Sequence, residues 1–280
     1  MIERLDQLTP AEVDAVRALV ASAPGARDNP PISEDGMLGL TGPGAHLLGR
    51  DASDQVQGYA RLHEGEAELV ATSDELAAEL LTALRELDPQ TRLWAHGAAA
   101  VAGHAAEAAG LVPVRTLLQL RAPLTGLDVL NPPAGISIRP FRPGRDDAAW
   151  LAVNQRAFEH HPEQGAWRQA ELDQRLAADW FDPAGFFLAW QGDDLLGYHW
   201  TKVHAEFSPP LGEVYVLGIA PLAQGLRLGT VLLNVGLRHL FDLGLRSCLL
   251  YVEADNPAAV HLYRKAGFTE FSRDVQYAAR

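Results

Sequence analysis

IAPLAQGLRLGT, residues Ile219 to Thr230, joins an apolar strand (Val214, Val216, Ile219) to an apolar helix (Val231, Leu232, Leu233, Val235, Leu237). A strand that ends in Pro221 and a glycine-bearing turn, then opens a helix, presents free backbone NH groups and a positive dipole end to an anion. The stretch reads as a pyrophosphate cradle in an α/β fold. It has neither the GK[ST] ending of one common phosphate loop nor the GxGxxG, with an acidic residue about twenty positions on, of another.

Composition sets the outer bounds. With 280 residues, 48% of them hydrophobic and 21% charged, the chain is long enough for two domains. A formal charge of -13 argues against nucleic acid, whose phosphates demand a basic face. The single cysteine, Cys248, sits in an apolar run beside Leu249, Leu250 and Val252, which excludes a disulfide framework and reads as a small buried strand residue. No signal peptide is visible in MIERLDQL, and no apolar run approaches the eighteen or so residues of a membrane helix. A cytoplasmic monomer without membrane contact is expected.

Punctuation separates two halves. Arg121 to Gly135 holds three prolines and two glycines without a helical or alternating pattern, so residues 126–136 read as a linker between domains at 1–125 and 137–280. The halves echo each other. HLLGRDASDQVQGYARL (His46 to Leu62) matches FFLAWQGDDLLGYHWTKV (Phe186 to Val203), a hairpin whose second strand carries Gly58-Tyr59 or Gly197-Tyr198. AAGLVPVRTLLQL (Ala108 to Leu120) matches KAGFTEFSRDVQY (Lys265 to Tyr277), a helix stopped by Gly110 or Gly267 and followed by an alternating strand. Two copies of one α/β fold follow from this order.

Only the second copy keeps the anion-binding turn. The first has Asp74, Glu75 and Glu79 at the equivalent place, where carboxylates suit capping but repel a pyrophosphate. Its role is expected to be packing beside the second half.

In that second half, strand SCLLYVE (Ser247 to Glu253) leads to Asn256-Pro257, an N-cap with proline at the first helical position, and the helix ends at Gly267. Glu213 opens the strand that delivers the turn, a carboxylate placed where it can act as a base. His160, His161, His199 and His204 lack an HxxxH or CxxC partner and read as ordinary histidines, so no metal is expected. Trp180, Trp190 and Trp200 read as core.

Gln224 to Gly229 resembles the acyl-CoA signature [QR]xxGx[GA] of the GCN5-related N-acetyltransferases (GNAT), with Arg227 where the first glycine stands. An arginine needs ordinary helical dihedrals, so the turn is expected to be helical there, with the guanidinium adding a phosphate contact. The resemblance implies two tandem GNAT domains, each a mixed central sheet flanked by helices. It also implies that Asn256 and the helix after it flank the CoA arm, that a backbone NH near Leu217 or Ile219 polarises the thioester, and that Tyr263 protonates the leaving thiolate.

A more specific likeness runs through HPEQGAW (His161 to Trp167), WFDPAGFFLAW, GYHWTKVH, LGEVYVLGIAP and LLYVEADNPAAVHLYRKAGF, which together are similar to the mycothiol synthase family. It covers nearly all of 137–280 and is weaker over 1–125. It implies acetylation of the cysteine amine of cysteinyl-glucosaminyl-inositol by acetyl-CoA. Substrate contacts would come from Glu34, Glu163, Lys202, Glu213 and Tyr251. Acetyl-CoA would lie on Leu217, Gly218 and Ile219, on Gln224, Gly225, Leu226, Arg227, Leu228, Gly229 and Thr230, and on Asn256, Pro257, Ala258, Ala259, Val260 and His261. Two readings stay open beside it: an acetyltransferase of peptide or protein N-terminal amines, and a non-catalytic acyl-CoA-binding protein.

Overall fold

Short alternating and apolar runs, broken by glycine-bearing turns, become strands and helices in the computed structural model, which describes residues 2–26, 29–97, 101–159 and 164–280. In chain order these are β1 (Ile2–Leu5), α1 (Pro10–Ser22), α2 (Glu34–Leu38), β2 (Ala45–Arg50), β3 (Val56–His63), β4 (Glu66–Ala71), α3 (Asp74–Leu87), β5 (Arg92–His96), α4 (Val101–Ala108) and β6 (Val112–Pro123). The sequence continues with β7 (Ser137–Pro140), α5 (Asp147–Ala157), α6 (Gln169–Leu176), β8 (Phe186–Gln191), β9 (Asp194–His204), β10 (Leu211–Ile219), α7 (Leu228–Asp242), β11 (Ser247–Glu253), α8 (Pro257–Lys265) and β12 (Thr269–Ala278). Among the described residues no helix is long and apolar enough to cross a membrane.

Two compact units result. The first comprises Met1–Gln119, Val252–Asn256 and Glu270–Arg280; the second comprises Leu120–Tyr251 and Pro257–Thr269. They differ from the contiguous halves expected of the sequence, because β12 belongs to the first unit. Its register with β5 runs antiparallel from Asp274↔His96 to Tyr277↔Leu93. Alternation specifies a strand with one buried face but not whose edge it fills. That choice is made by Tyr277, buried among Leu80, Leu84 and Leu93, and by Asp274, which meets His96. Arg121 to Pro123 finish β6, and residues 126–136 follow without helix or strand.

In the first unit the strands lie in the order β1-β2-β3-β4-β5-β12, antiparallel except for β4 and β5. Neighbouring residues feed opposite faces, as strand geometry requires. Leu47, Ala60 and Leu69 pack with α3 and α4 residues such as Leu80 and Ala105, whereas Leu48, Tyr59 and Val70 pack with Val16 and Leu19 of α1.

The second unit orders its strands β11-β10-β9-β8-β7, with β10 and β11 parallel. One face is aromatic. Phe186 stacks on Trp200 at 4.4 Å, Trp150 meets the same Trp200 edge-on at 5.8 Å, and Tyr198 fills the rest. On the other face Leu228 and Leu232 of α7 pack on Ala189 and Leu196. Trp200 and Cys248 are fully buried, and Trp180 and Trp190 border the aromatic cluster, as read from the sequence. The paired hairpins are present, and Tyr59 and Tyr198 are both fully buried.

The first unit closes around one ionic cluster. His96 lies between Glu68, 2.7 Å from its Nε2, and Asp274, 3.1 Å from its Nδ1. Ser33 NH donates to Glu68, and Gly97 NH and Asn29 Nδ2 donate to Asp274. Burial works against charge on His96, but its hydrogen bonds to Asp274 and Glu68 outweigh it and raise its pKa from 6.5 to about 10. Burial likewise opposes ionisation of the carboxylates, and His96 overrides it, holding both below their ordinary values.

Linkage gives the sign of the pH dependence. The share of stability due to His96 is complete below about pH 6.5 and is lost as pH rises toward 10, while the carboxylate share is present above about pH 4.5 and is lost as pH falls. Thermal melts of wild type should therefore decline between pH 7 and 10, and His96→Gln should melt lower and lose that part of the decline. An identical alkaline slope in both proteins would contradict the clasp.

Candidate active site

The geometry of the site starts with a register fault. From Leu211↔His204 to Ile219↔Gly197 the β9–β10 ladder is continuous except between Val214 and Val216, where Tyr215 is an extra residue. Such a bulge bends its strand and raises local twist. On its other side β10 pairs with β11 at Gly212↔Cys248 and Glu213↔Leu249, and the recorded pairing stops there. Ala220 NH donates to Leu196 O of β9 at 2.8 Å. Strand alternation therefore turns Gly218 NH toward β9, and Leu217 and Ile219 NH toward the side that β11 has left.

Gly218 and Gly197 are required by close packing here. A Cβ on Gly218 would stand 2.6 Å from the Tyr198 ring, and one on Gly197 would stand 2.9 Å from Gly218 O. Tyr198 is in turn fixed by its hydroxyl, which donates to Asn154 Oδ1.

Beyond Ile219 a short 3-10 turn, Pro221–Ala223, leads to Gln224, Gly225 and Leu226, all exposed, and to α7. The first helical hydrogen bond runs from Val231 NH to Arg227 O at 3.3 Å, so Leu228, Gly229 and Thr230 carry first-turn NH groups without an intrahelical acceptor. The N-cap residue gives no side-chain cap, and no acidic residue lies in the first turn. The equivalent end of α3 is closed: Ser73 Oγ accepts from Leu76 NH at 3.2 Å, and Asp74 and Glu75 fill the first turn.

Arg227 overturns one expectation. Instead of helical dihedrals it has φ 60° and ψ 13°, the left-handed region, next to Gly225 at φ 83°. Buried Ala223 and Leu228 anchor the turn at both ends, so the path between them dictates the dihedrals of whichever residue stands at 227. A side chain in that region costs about 1–2 kcal/mol, which explains why a glycine suits the position.

Glu213 is the last position of β10 paired with β11 and is 7% exposed. Its cross-strand partner is Lys202, 4% exposed, whose Nζ lies 4.7 Å from the Trp180 ring and 5.6 Å from the Tyr215 ring. Directly opposed residues share a face of the sheet, so an acid and a cation stand together. Glu213 Oε2 is 2.7 Å from His204 Nε2, and His204 Nδ1 is 2.8 Å from Glu206 Oε1. Sequence reading treated His204 as an ordinary histidine; the signal that points to it is its spacing, two residues after Lys202 on the same strand face.

Tyr263 is buried in α8, edge-on to Phe268 at 5.9 Å. Burial first, and then the neighbouring Cys248, push its hydroxyl above the usual phenol range, so it is fully protonated at neutral pH. Cys248 is in turn raised by burial and by Glu213. Tyr251, on β11, is 40% exposed. Pro257, Ala258 and His261 are exposed on the start of α8, Ala259 is half-buried and Val260 is buried.

Asn256 and Glu34 belong to the first unit, Glu34 exposed at the start of α2. Glu163, His160 and His161 lie outside the described residues. Among the described residues no group of three or more His, Cys, Asp or Glu is arranged to hold a metal.

Comparison with known proteins follows the same lines. The model of the Acetyltransferase (GNAT) family matches residues 149–268. Over 99% of its length the chain is 48% identical to the mycothiol acetyltransferase of Streptomyces coelicolor, covering 94% of it. It is 45% identical to that of Rhodococcus erythropolis, with 98% of each covered. Among solved structures the fold is similar to a GCN5-related N-acetyltransferase from Sphaerobacter thermophilus, with TM-score 0.74, 22% identity, and 99% of this chain and 94% of that one covered. A tandem GNAT protein from the clavulanic acid biosynthesis pathway gives TM-score 0.71 at 18% identity, covering 100% of this chain and 98% of that one. The fold is thus that of tandem GNAT domains, and identity of this extent along the whole length makes the chain a member of the mycothiol acetyltransferase family.

Proposed function

We propose that this chain transfers the acetyl group of acetyl-CoA to the cysteine amine of cysteinyl-glucosaminyl-inositol, giving mycothiol, by direct attack within a ternary complex. The observation that carries this reading is the near-half identity with mycothiol acetyltransferases over almost the full chain. The local chemistry supports it.

The pyrophosphate of acetyl-CoA lies on the first-turn NH groups of Leu228, Gly229 and Thr230, with the Arg227 guanidinium beside it. Gln224, Gly225 and Leu226 form the approach. The pantetheine arm runs along Leu217, Gly218 and Ile219 as an added strand, with Asn256 and the start of α8 (Pro257, Ala258, Ala259, Val260 and His261) on its other flank. NH groups of Leu217 and Ile219 on the open side of β10 polarise the thioester carbonyl, and their fixed direction is what makes them effective.

The acceptor arrives as an ammonium. Glu213 takes one of its protons, directly or through a water; the freed nitrogen then attacks the carbonyl carbon and the C–S bond breaks. Tyr263, a neutral phenol whose pKa burial raises further, gives its proton to the departing thiolate and regains one as the nitrogen sheds its second proton. Acids at Glu163 and Glu213, with Tyr251 and Lys202, suit a substrate that combines a cation with many hydroxyls.

In a CoA-release assay, cysteinyl-glucosaminyl-inositol should yield one CoA per N-acetylated product, and a peptide with a free N-terminus should yield none. Release with the peptide alone would overturn the substrate assignment. Glu213→Gln should lower kcat by roughly 10²-fold or more while calorimetry finds acetyl-CoA binding intact; unchanged kcat would remove Glu213 as base. Arg227→Gly removes about 1–2 kcal/mol of left-handed strain against about 0.4–1 kcal/mol of added unfolded-chain entropy. It should therefore melt at or slightly above the wild-type temperature yet bind acetyl-CoA more weakly, and undiminished affinity would exclude the guanidinium contact.

A further inference from the structure

Glu213 is not alone at the end of its strand. His204 closes β9 with its imidazole 14% exposed, its Nε2 on Glu213 Oε2 at 2.7 Å and its Nδ1 on Glu206 Oε1 at 2.8 Å. Phe207 covers the ring edge-on at 5.6 Å. Both ring nitrogens thus face carboxylate oxygens. An imidazole can donate to two acceptors at once only as the cation.

We infer that His204 is a positioning residue for the acyl transfer, a cation held between Glu206 and Glu213 whose charge faces the Glu213 carboxylate and fixes its direction through Oε2. The inference rests on Glu213 being the base. Glu213 is 9% exposed at its side chain, and a charged group so withdrawn from water needs a partner. The other charged or titratable groups facing the pair are few. Lys202, opposite Glu213 on β9, acts against the His204 charge; Cys248 on β11 is held as the neutral thiol by burial and by Glu213; Glu206 is the outer carboxylate. Burial lowers the pKa of His204, and the hydrogen bonds to Glu213 and Glu206 more than restore it, leaving the ring above its ordinary value.

A mere hairpin pin would behave differently from an electrostatic partner, and pH separates the two. In the profile of kcat/KM for the amine, His204→Gln should move the acidic limb upward by about one pH unit, the scale on which a neighbouring charge acts. Its rate should recover toward wild type at higher pH. His204→Lys, which keeps a cation, should leave the limb in place. A loss of rate by the same factor at every pH, or an equal limb shift in both variants, would overturn the inference. In the unaltered protein, nitrogen NMR of the His204 ring should show both nitrogens protonated through pH 7, a readout independent of how the variants fold. A ring that titrates below 6.5 would also overturn it. Glu213→Gln is measured alongside: full activity there defeats the base assignment and this inference together, whereas an impaired Glu213→Gln with an unmoved His204→Gln limb defeats this inference alone.

Discussion

The early parting of β10 from β11 is the constraint on which the site depends. Two parallel strands that stayed paired to their ends would spend every inward NH on each other. Here the recorded pairing ends at Glu213, and the extra residue at Tyr215 turns the rest of β10 away. The departure turns Leu217 and Ile219 NH groups toward the side that β11 has left, sets Glu213 at the fork, and leads the strand to the mouth of α7. A thioester needs these three things together: a strand-like edge for its amide-bearing arm, a base beside its carbonyl, and a helix end for its phosphates.

In the first unit the corresponding strands of the same fold stay paired two positions further. Counting from the Gly-Tyr pair of each hairpin, Glu66 occupies the register position of Glu213, His63↔Glu66 answering to Lys202↔Glu213. No residue is inserted, and β4 stays paired with β5 through Glu68. Just past that point Glu68, His96 and Asp274 are joined ionically, and Ser73, Asp74 and Glu75 close the helix that follows. Glu66 accepts hydrogen bonds from Trp94 and Gln276. The polar groups at this end of the first unit are thus satisfied internally, and a satisfied buried network rigidifies a unit.

Much of this could be read from the chain before its structure. The turn at Gln224–Thr230, the paired hairpins and burial of Cys248 each follow from local pattern, because strand alternation, glycine turns and apolar runs act over a few residues. What escaped depends on partners distant in sequence. The alternation in β12 marks a strand but does not name β5 as its neighbour. Arg227 carries an intrinsic preference for helical dihedrals that the anchored turn overrides. The bulge at Tyr215 leaves no mark in EVYVLGIA, since an inserted strand residue looks like any other. His204 becomes informative only when the hairpin register sets it beside Glu213.

Amide hydrogen exchange with and without acetyl-CoA tests the central claim most directly. The account predicts that the ligand slows exchange at Leu217, Ile219 and Gly225 to Thr230, the strand edge and helix mouth left open by the fork. Unaltered exchange at those amides in the presence of saturating acetyl-CoA would contradict it.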